Sequence, residues 1–226
     1  MAKTPRSFLL EQLRAQADAV ATKRLQQLKL STESIDKLDR RLHAVFQYFD
    51  EACKLLQVVC PPIEREFVLG ELARYEGLTF QRGNVMFRKQ RLQDRDVYDY
   101  VVVYYNLAGE PPPPFRVAIR HSPEIERALN SANIEFSSDT DSNVRGGAAS
   151  NVIRIKPGLR CEIRFDPDFE SERIVVTLHN VDRFEPVILD FQPEALDVAT
   201  LDDLVNLMLG KPSQFLLRAP LRGFVR

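Results

Sequence analysis

The sequence predicts an α+β protein in which an N-terminal helical hairpin, a coiled-coil-like arm, precedes a mainly antiparallel β-sheet domain. Short helices and a buried C-terminal helix complete this domain. Three observations predict this class. Apolar residues recur every three or four positions before residue 60, which is typical of helices that pack on helices. Apolar and polar residues alternate in short segments after residue 78, which is typical of antiparallel strands. A final apolar segment covers most of a helical circumference, as buried helices do.

The chain divides into a helical arm over residues 1–60 and a sheet domain over residues 61–226. Neither glycine nor proline occurs between Arg6 and Cys60, and Pro61 and Pro62 follow directly. Because proline disfavours helical geometry in the residue before it, the arm is expected to end there. A chain of 226 residues is long enough for one domain with an extension.

The strongest periodic signal is a seven-residue repeat in the second half of the arm. It comprises Ile35, Leu38, Leu42, Val45, Phe49, Ala52, Leu56 and Val59. Such a narrow stripe is typical of a helix that packs on another helix. We therefore expect a homo-oligomer, most simply a two-fold dimer, or a helical protein partner. The predicted interaction residues are Ile35, Leu38, Leu42, Val45, Phe49 and Leu56. The alternative is that the first helix covers this stripe within the chain.

The arm has two possible forms because the apolar stripe of its first half loses phase near residues 25–31. Serine and threonine at residues 31–34 can cap a new helix, which favours an antiparallel hairpin. The alternative is one continuous helix with a stutter, about 80 Å long at 1.5 Å per residue. The hairpin is the favoured form.

The remaining elements follow from local patterns. A third helix is predicted over residues 62–76, a short helix over 122–131 and a last helix from Thr200 to Gly210. Gly83-Asn84 is expected to form a hairpin turn, and residues 137–151 a polar loop. Strands are predicted at residues 78–82, 85–92, 97–106, 115–121, 160–166, 173–181 and 186–191.

Composition and charge exclude several functional classes. The net charge of −1 provides no overall attraction to nucleic acid or anionic lipid. The three cysteines form no CxxC pair, which argues against a disulfide framework or a zinc site and favours the cytoplasm. No apolar run approaches the roughly 20 residues that cross a bilayer, so no membrane association is expected.

A basic and aromatic sheet surface is the second functional candidate. Arginines alternate with apolar neighbours on several strands, and Tyr98, Tyr100 and Tyr104 lie on the strand expected at the sheet centre. Single-stranded nucleic-acid binders combine arginine and aromatic residues in this way. The candidate polyanion-binding residues are Arg88, Arg116, Arg120 and Arg164, with Arg160 beside them. The alternative is that the tyrosines pack under helices while Asp99, Glu162 and Asp166 neutralise these arginines across the strands. No RNP or helix-turn-helix motif supports nucleic acid.

An enzyme is the third candidate, and the sequence assigns it no catalytic residues. It contains no GxSxG, P-loop or GxGxxG motif. His121 or His179 could act as an acid or base if a carboxylate lies beside it.

No metal or cofactor is expected. Asp139, Asp141 and Asn143 match the first ligands of a calcium loop, but Val144 and Ser150 occupy positions that require glycine and a carboxylate. The preferred interpretation is a non-enzymatic interaction or assembly protein.

Overall fold

A computed structural model of the chain describes the backbone of residues 8–141 and 150–223 and the side chains of residues 32–141 and 150–222. Its helices are α1 (Phe8–Val59), α2 (Ser122–Ser131) and α3 (Val198–Met208). The strands are β1 (Phe67–Leu69), β2 (Ala73–Tyr75), β3 (Thr79–Leu92), β4 (Arg95–Ala108), β5 (Phe115–Ala118), β6 (Phe136–Asp141), β7 (Ser150–Ile155), β8 (Leu159–Asp168), β9 (Arg173–His179), β10 (Val187–Phe191) and β11 (Leu221–Gly223). This mixture of helices and antiparallel strands confirms the α+β class.

Helix α1 is continuous over 52 residues. The turn predicted at residues 31–34 is therefore wrong, because residues that can cap a helix can also continue one when no glycine or proline follows. At 1.5 Å per residue the helix is about 78 Å long. The side chains of the predicted first stripe, Leu10, Leu13, Ala17, Val20 and Leu28, lie outside the described residues.

The main sheet has six strands in the order β11-β10-β9-β8-β4-β3, and every neighbouring pair is antiparallel. Strand β4 lies between β3 and β8, as predicted for residues 97–106. A three-stranded sheet has the order β5-β7-β6, and β1 pairs with β2. Most connections join neighbours in sequence, so hairpins build most of the main sheet.

The C-terminal half of α1 shares one hydrophobic core with the main sheet. Phe49 of α1 contacts Phe165 of β8, with ring centres 6.0 Å apart. Polar contacts hold the helix in place at both edges of this core. Asp39 accepts a 2.8 Å hydrogen bond from the backbone N–H of Tyr98, and Arg41 donates to the carbonyl of Leu196.

The helix predicted over residues 62–76 is wrong. Gly70 has a positive φ of 52°, and Leu72 donates its N–H to the carbonyl of Leu69. This turn joins β1 to β2, whose residues Phe67 and Tyr75 are buried. Burial of alternate residues overrides the helical pattern in this segment.

The hairpin turn predicted at Gly83-Asn84 is also wrong, since both residues lie inside β3. The chain reverses at Gln93 and Asp94, whose φ values of 49° and 61° are those of a tight hairpin turn. Gly83 instead provides space, because a Cβ atom there would lie 2.9 Å from the Sγ of Cys53.

Helix α3 begins two residues before the predicted Thr200. Asp197 is the N-cap, and its carboxylate accepts a 2.9 Å hydrogen bond from the N–H of Thr200. The predicted polar loop is shorter than expected, since its two ends belong to β6 and β7, while residues 142–149 lie outside the description. Within the described residues, none of the helices has the length and apolar character needed to cross a membrane.

Candidate binding face

The two faces of the six-stranded sheet have different environments. On β8, Cys161, Ile163 and Phe165 are buried towards α1, whereas Glu162 and Arg164 point to the opposite face and are half-buried. The same alternation continues on β9. Strand geometry thus separates an apolar face beneath α1 from a polar, open face.

The open face is built around arginine guanidinium groups stacked on tyrosine rings. The guanidinium carbon of Arg164 lies 4.0 Å from the ring centre of Tyr100, and that of Arg88 lies 5.1 Å from it. Further along the same face, the guanidinium carbon of Arg160 lies 5.0 Å from the ring centre of Tyr104. Cation–π contacts of this kind are each worth about 0.5–1 kcal/mol at exposed sites. We call these five residues the arginine–tyrosine face.

Carboxylates hold two of these arginines in position. Both carboxylate oxygens of Asp166 share the single Nε–H of Arg164, each 2.9 Å from Nε, and Asp99 pairs with Arg88. Hydrogen bonding to Asp166 raises the pKa of Arg164. The guanidinium groups are therefore both oriented and partly neutralised by the protein itself.

Glu162, on β8, points to the same face and lies between residues of β4 and β9. It lies directly across from Tyr104 on one side and from His179 on the other. Burial, followed by the Glu162 carboxylate, raises the pKa of Tyr104, while Arg160 and Arg164 oppose this shift. Tyr104, Glu162 and His179 therefore place a phenol, an acid and an imidazole side by side on the open face.

Apolar residues lie beneath and beside the stacked groups. Val102 points to this face yet is only 2% exposed, because the longer side chains around it exclude water. Met86, its partner on β3, is 51% exposed. No lysine occurs on β4, β8 or β9, so the positive charge of these strands comes from arginine.

The four predicted polyanion-binding residues do not share one surface. Arg88 and Arg164 belong to the arginine–tyrosine face. Arg116 lies on the three-stranded sheet, where it pairs with Asp141 at 3.1 Å, and Arg120 donates to Nε2 of His121 at 3.0 Å. The sequence could not reveal this, since the strands belong to different sheets.

Tyr98 was expected beside Tyr100 and Tyr104 but points towards α1, where its hydroxyl lies 3.0 Å from Nδ1 of His43. The cause is a register shift in the β3–β4 pair, in which Arg88 opposes Tyr100 and Lys89 opposes Tyr98. A β-bulge of this kind reverses the facing of the residues beyond it. Spacing by two in the sequence could not reveal the bulge.

The predicted interaction stripe on α1 is covered by the protein's own sheet. Five of its members are between 0% and 4% exposed: Ile35, Leu38, Leu42, Val45 and Phe49. Leu56, the sixth, is half-buried and packs against the same core. The seven-residue apolar repeat thus belongs to a helix that packs on a sheet rather than on another helix.

The two acid–base candidates lie on separate elements, His121 before α2 and His179 at the end of β9. His121 is exposed beside Arg120, and His179 lies on the open face opposite Glu162. The surface has shallow depressions of about 270–410 Å³, and neither histidine lines those that we describe.

The calcium-loop residues are engaged elsewhere, since Asp139 pairs with Arg154 and Asp141 with Arg116; Asn143 lies outside the described residues. Among the side chains of residues 32–141 and 150–222, no group of three or more candidate ligands could hold a metal ion.

Comparison of the chain with protein-family models, with curated proteins and with solved structures gives no match.

Proposed function

We propose that this chain is a non-enzymatic interaction protein that binds a protein partner through the arginine–tyrosine face. The observation that carries this proposal is the stacking of Arg88 and Arg164 on Tyr100, on a sheet face that none of the described helices covers. Arginine and tyrosine are enriched among the residues that dominate protein interfaces, whereas lysine is depleted. These side chains are already ordered, so a partner would pay little additional conformational entropy.

The charge balance favours a protein over a polyanion. Asp99 and Asp166 pair with Arg88 and Arg164, and Glu162 lies directly across from Tyr104. Phosphate groups would meet these carboxylates as well as the guanidinium groups. The arginines also stack on the ring of Tyr100, the surface on which a base would otherwise stack. Polyanion binding is accordingly the second candidate.

The shape of the face supports binding rather than catalysis. An enzyme needs a concave site that excludes water around its reacting groups. His179 and Glu162 are half-buried neighbours on an open sheet, and neither lines the depressions described above. Their pairing is equally suited to hydrogen bonding with a partner at the edge of an interface.

Self-association through α1 stays a prediction, and the structure restricts where it could occur. Leu38, Leu42 and Phe49 already contribute to the core, so an assembled form would have to use other residues. A reducing compartment such as the cytoplasm agrees with three free thiols, of which Cys53 and Cys161 are buried.

Site-specific photocrosslinking tests the proposal. The photoreactive amino acid p-benzoylphenylalanine is placed at Tyr104, on the arginine–tyrosine face, and at exposed Arg127 of α2 as the matched control. The chain is expressed in its native cells and irradiated. We expect a discrete protein adduct from position 104, and loss of that adduct when Arg164→Ala and Arg88→Ala are added.

The outcomes separate the candidates. A nuclease-sensitive adduct would replace the protein partner by nucleic acid. Adducts of equal yield and identity from positions 104 and 127, or none from position 104, would overturn the proposal. Circular dichroism of each variant verifies that the fold is retained.

A further inference from the structure

Strand β3 forms one edge of the six-stranded sheet. Its first residues are covered, because Phe80 donates its N–H to Pro61 and Leu78 accepts from the N–H of Ile63. Among the described residues, no main-chain partner is found on the outer side of β3 from Arg82 to Leu92. Eleven residues of strand backbone, about 36 Å at 3.3 Å per residue, are therefore open to pairing.

Side chains along this open edge are exposed on both faces of the sheet. Met86, on the open face, is 51% exposed, and Phe87, on the α1 face, is 45% exposed. Phe87 rests edge-on against Phe46 of α1, with ring centres 4.9 Å apart. An added strand would cover apolar surface on each side while it pairs with the backbone.

The charge of β3 is positive throughout. The strand contains Arg82, Arg88, Lys89 and Arg91 and no acidic residue. Neighbouring carboxylates engage two of these cations, since Asp99 pairs with Arg88 and Asp94 with Arg91, while Asp96 lies across from Arg91.

The other two cations flank the exposed apolar residues. Among the described side chains, Arg82 and Lys89 have no carboxylate partner, and the Nζ atom of Lys89 lies 5.0 Å from the ring centre of Tyr98. The two residues are about 23 Å apart along an extended strand.

We infer that an extended, acidic segment of the partner protein adds to β3 as a seventh strand. This inference rests on the proposed function and specifies how its partner is held. Main-chain hydrogen bonds to the open edge supply affinity, carboxylates near the two ends of the segment pair with Arg82 and Lys89, and apolar residues between them cover Met86 and Phe87.

The same charges oppose pairing of β3 with a second copy of itself. Two such strands side by side would bring arginine and lysine residues together with no carboxylate between them, which destabilises a strand pair. Cations on an edge strand are a common protection against such self-pairing. The edge therefore selects an acidic strand over its own copy.

The inference is tested with a fluorescent ten-residue peptide, Glu-Glu-Val-Thr-Ile-Thr-Val-Thr-Glu-Glu, added to the full chain at physiological salt. We expect saturable binding, and a loss of about tenfold or more for the double variant Arg82→Glu/Lys89→Glu. The double substitution Lys54→Glu/Arg127→Glu, at exposed positions of α1 and α2, is the charge-matched control and should leave affinity unchanged. The milder Arg82→Gln/Lys89→Gln variant should weaken binding less, and replaces the charge reversal if that protein fails to fold.

Two further probes separate strand addition from simple attraction of charge. A peptide of the same sequence with every backbone amide from its third to its eighth residue N-methylated keeps every carboxylate but has no N–H donor on either edge of this segment, and should not bind. Equal binding by this peptide, by single-stranded oligothymidine, or by the Arg82→Glu/Lys89→Glu variant would overturn the inference.

Failure here is distinguishable from failure of the proposed function. If position 104 forms a specific protein adduct while the peptide does not bind, the arginine–tyrosine face is the interface and the edge is not. If the peptide binds and position 104 forms no adduct, the edge acts alone and the proposed function is wrong.

Discussion

The guanidinium carbon of Arg164 lies 4.0 Å from the ring centre of Tyr100, while its Nε–H is shared between the two carboxylate oxygens of Asp166. One side chain thus joins an aromatic ring on β4 to a carboxylate on its own strand. The arrangement holds a long, flexible arginine in one orientation on an open sheet. It makes the face a preformed surface, and several measurements on the purified chain follow from it and from the core beneath it.

The Arg164–Tyr100 contact should be measurable as a coupling energy. A double-mutant cycle of Arg164→Ala and Tyr100→Ala, followed by urea unfolding, should give about 0.5–1 kcal/mol in favour of the pair. The pair Arg127→Ala and Tyr104→Ala, on different elements, serves as the control and should show additivity. Additivity in both pairs would mean that the stack contributes nothing to stability.

Substitutions in the buried stripe of α1 should unfold the sheet domain rather than release a partner. Leu42→Ala should cost about 2–5 kcal/mol of unfolding free energy, and Leu42→Asp more, because a charge would enter a dry core. Val58→Asp is the matched control, since Val58 on the same helix is 85% exposed, and it should cost little. Thermal unfolding and light scattering would show this. A folded Leu42→Asp protein of lower mass would instead establish the stripe as an interface.

Any side chain at position 83 should lower the stability of the protein while Cys53 is present. The added Cβ of Gly83→Ala would lie 2.9 Å from the Sγ of Cys53 and 2.9 Å from the ring of Phe80. Overpacking of this kind costs about 1–3 kcal/mol. Cys53→Ala should recover part of this loss in the double variant, as measured by urea unfolding. An effect of Gly83→Ala that Cys53→Ala leaves unchanged would assign the cost to the Phe80 ring or the backbone instead.

The three thiols should differ in reactivity. Cys60 is exposed, whereas Cys53 and Cys161 are buried. Burial, followed by the charge of Asp50, raises the pKa of Cys53 to about 11, and burial raises that of Cys161 further. Because the thiolate is the reactive form, a disulfide reagent at neutral pH should modify one thiol per native chain and three in denaturant. Rapid reaction of Cys60→Ser protein would contradict this packing.

Asp168 should contribute stability that is lost in acid. Hydrogen bonds from Ser171 and Arg222 lower its pKa from 3.8 to about 2. A carboxyl whose pKa is lower in the folded state stabilises above pH 4 and loses this contribution as the pH falls towards 2. Since the group is near solvent, the contribution should be at most about 1 kcal/mol. Urea unfolding of Asp168→Asn between pH 2 and 6 should show a smaller pH dependence than the parent, and an unchanged profile would exclude this role.

Local pattern was sufficient for much of the architecture. Alternation on β8 and β9 predicted both strands and their buried faces, because a period of two is an unavoidable property of extended backbone. The predicted short helix of residues 122–131 agrees with α2. The alternative in which carboxylates neutralise the arginines across strands agrees with the pair of Asp99 and Arg88, whereas Asp166 pairs with Arg164 within β8.

Where a sequence pattern has two physical interpretations, only the folded structure decides between them. The stripe from Ile35 to Phe49 suits a helix or a sheet as its neighbour equally well, since both offer apolar surface, and only long-range packing selects the sheet. The facing of Tyr98 depends on a bulge that leaves no periodic signal. Arg116 and Arg164 look equivalent in the sequence and lie on different sheets, because strand order is a matter of contacts between distant segments. Residue type and spacing therefore specify which groups are available, while the meeting of Arg164 with Tyr100 depends on how the strands are paired.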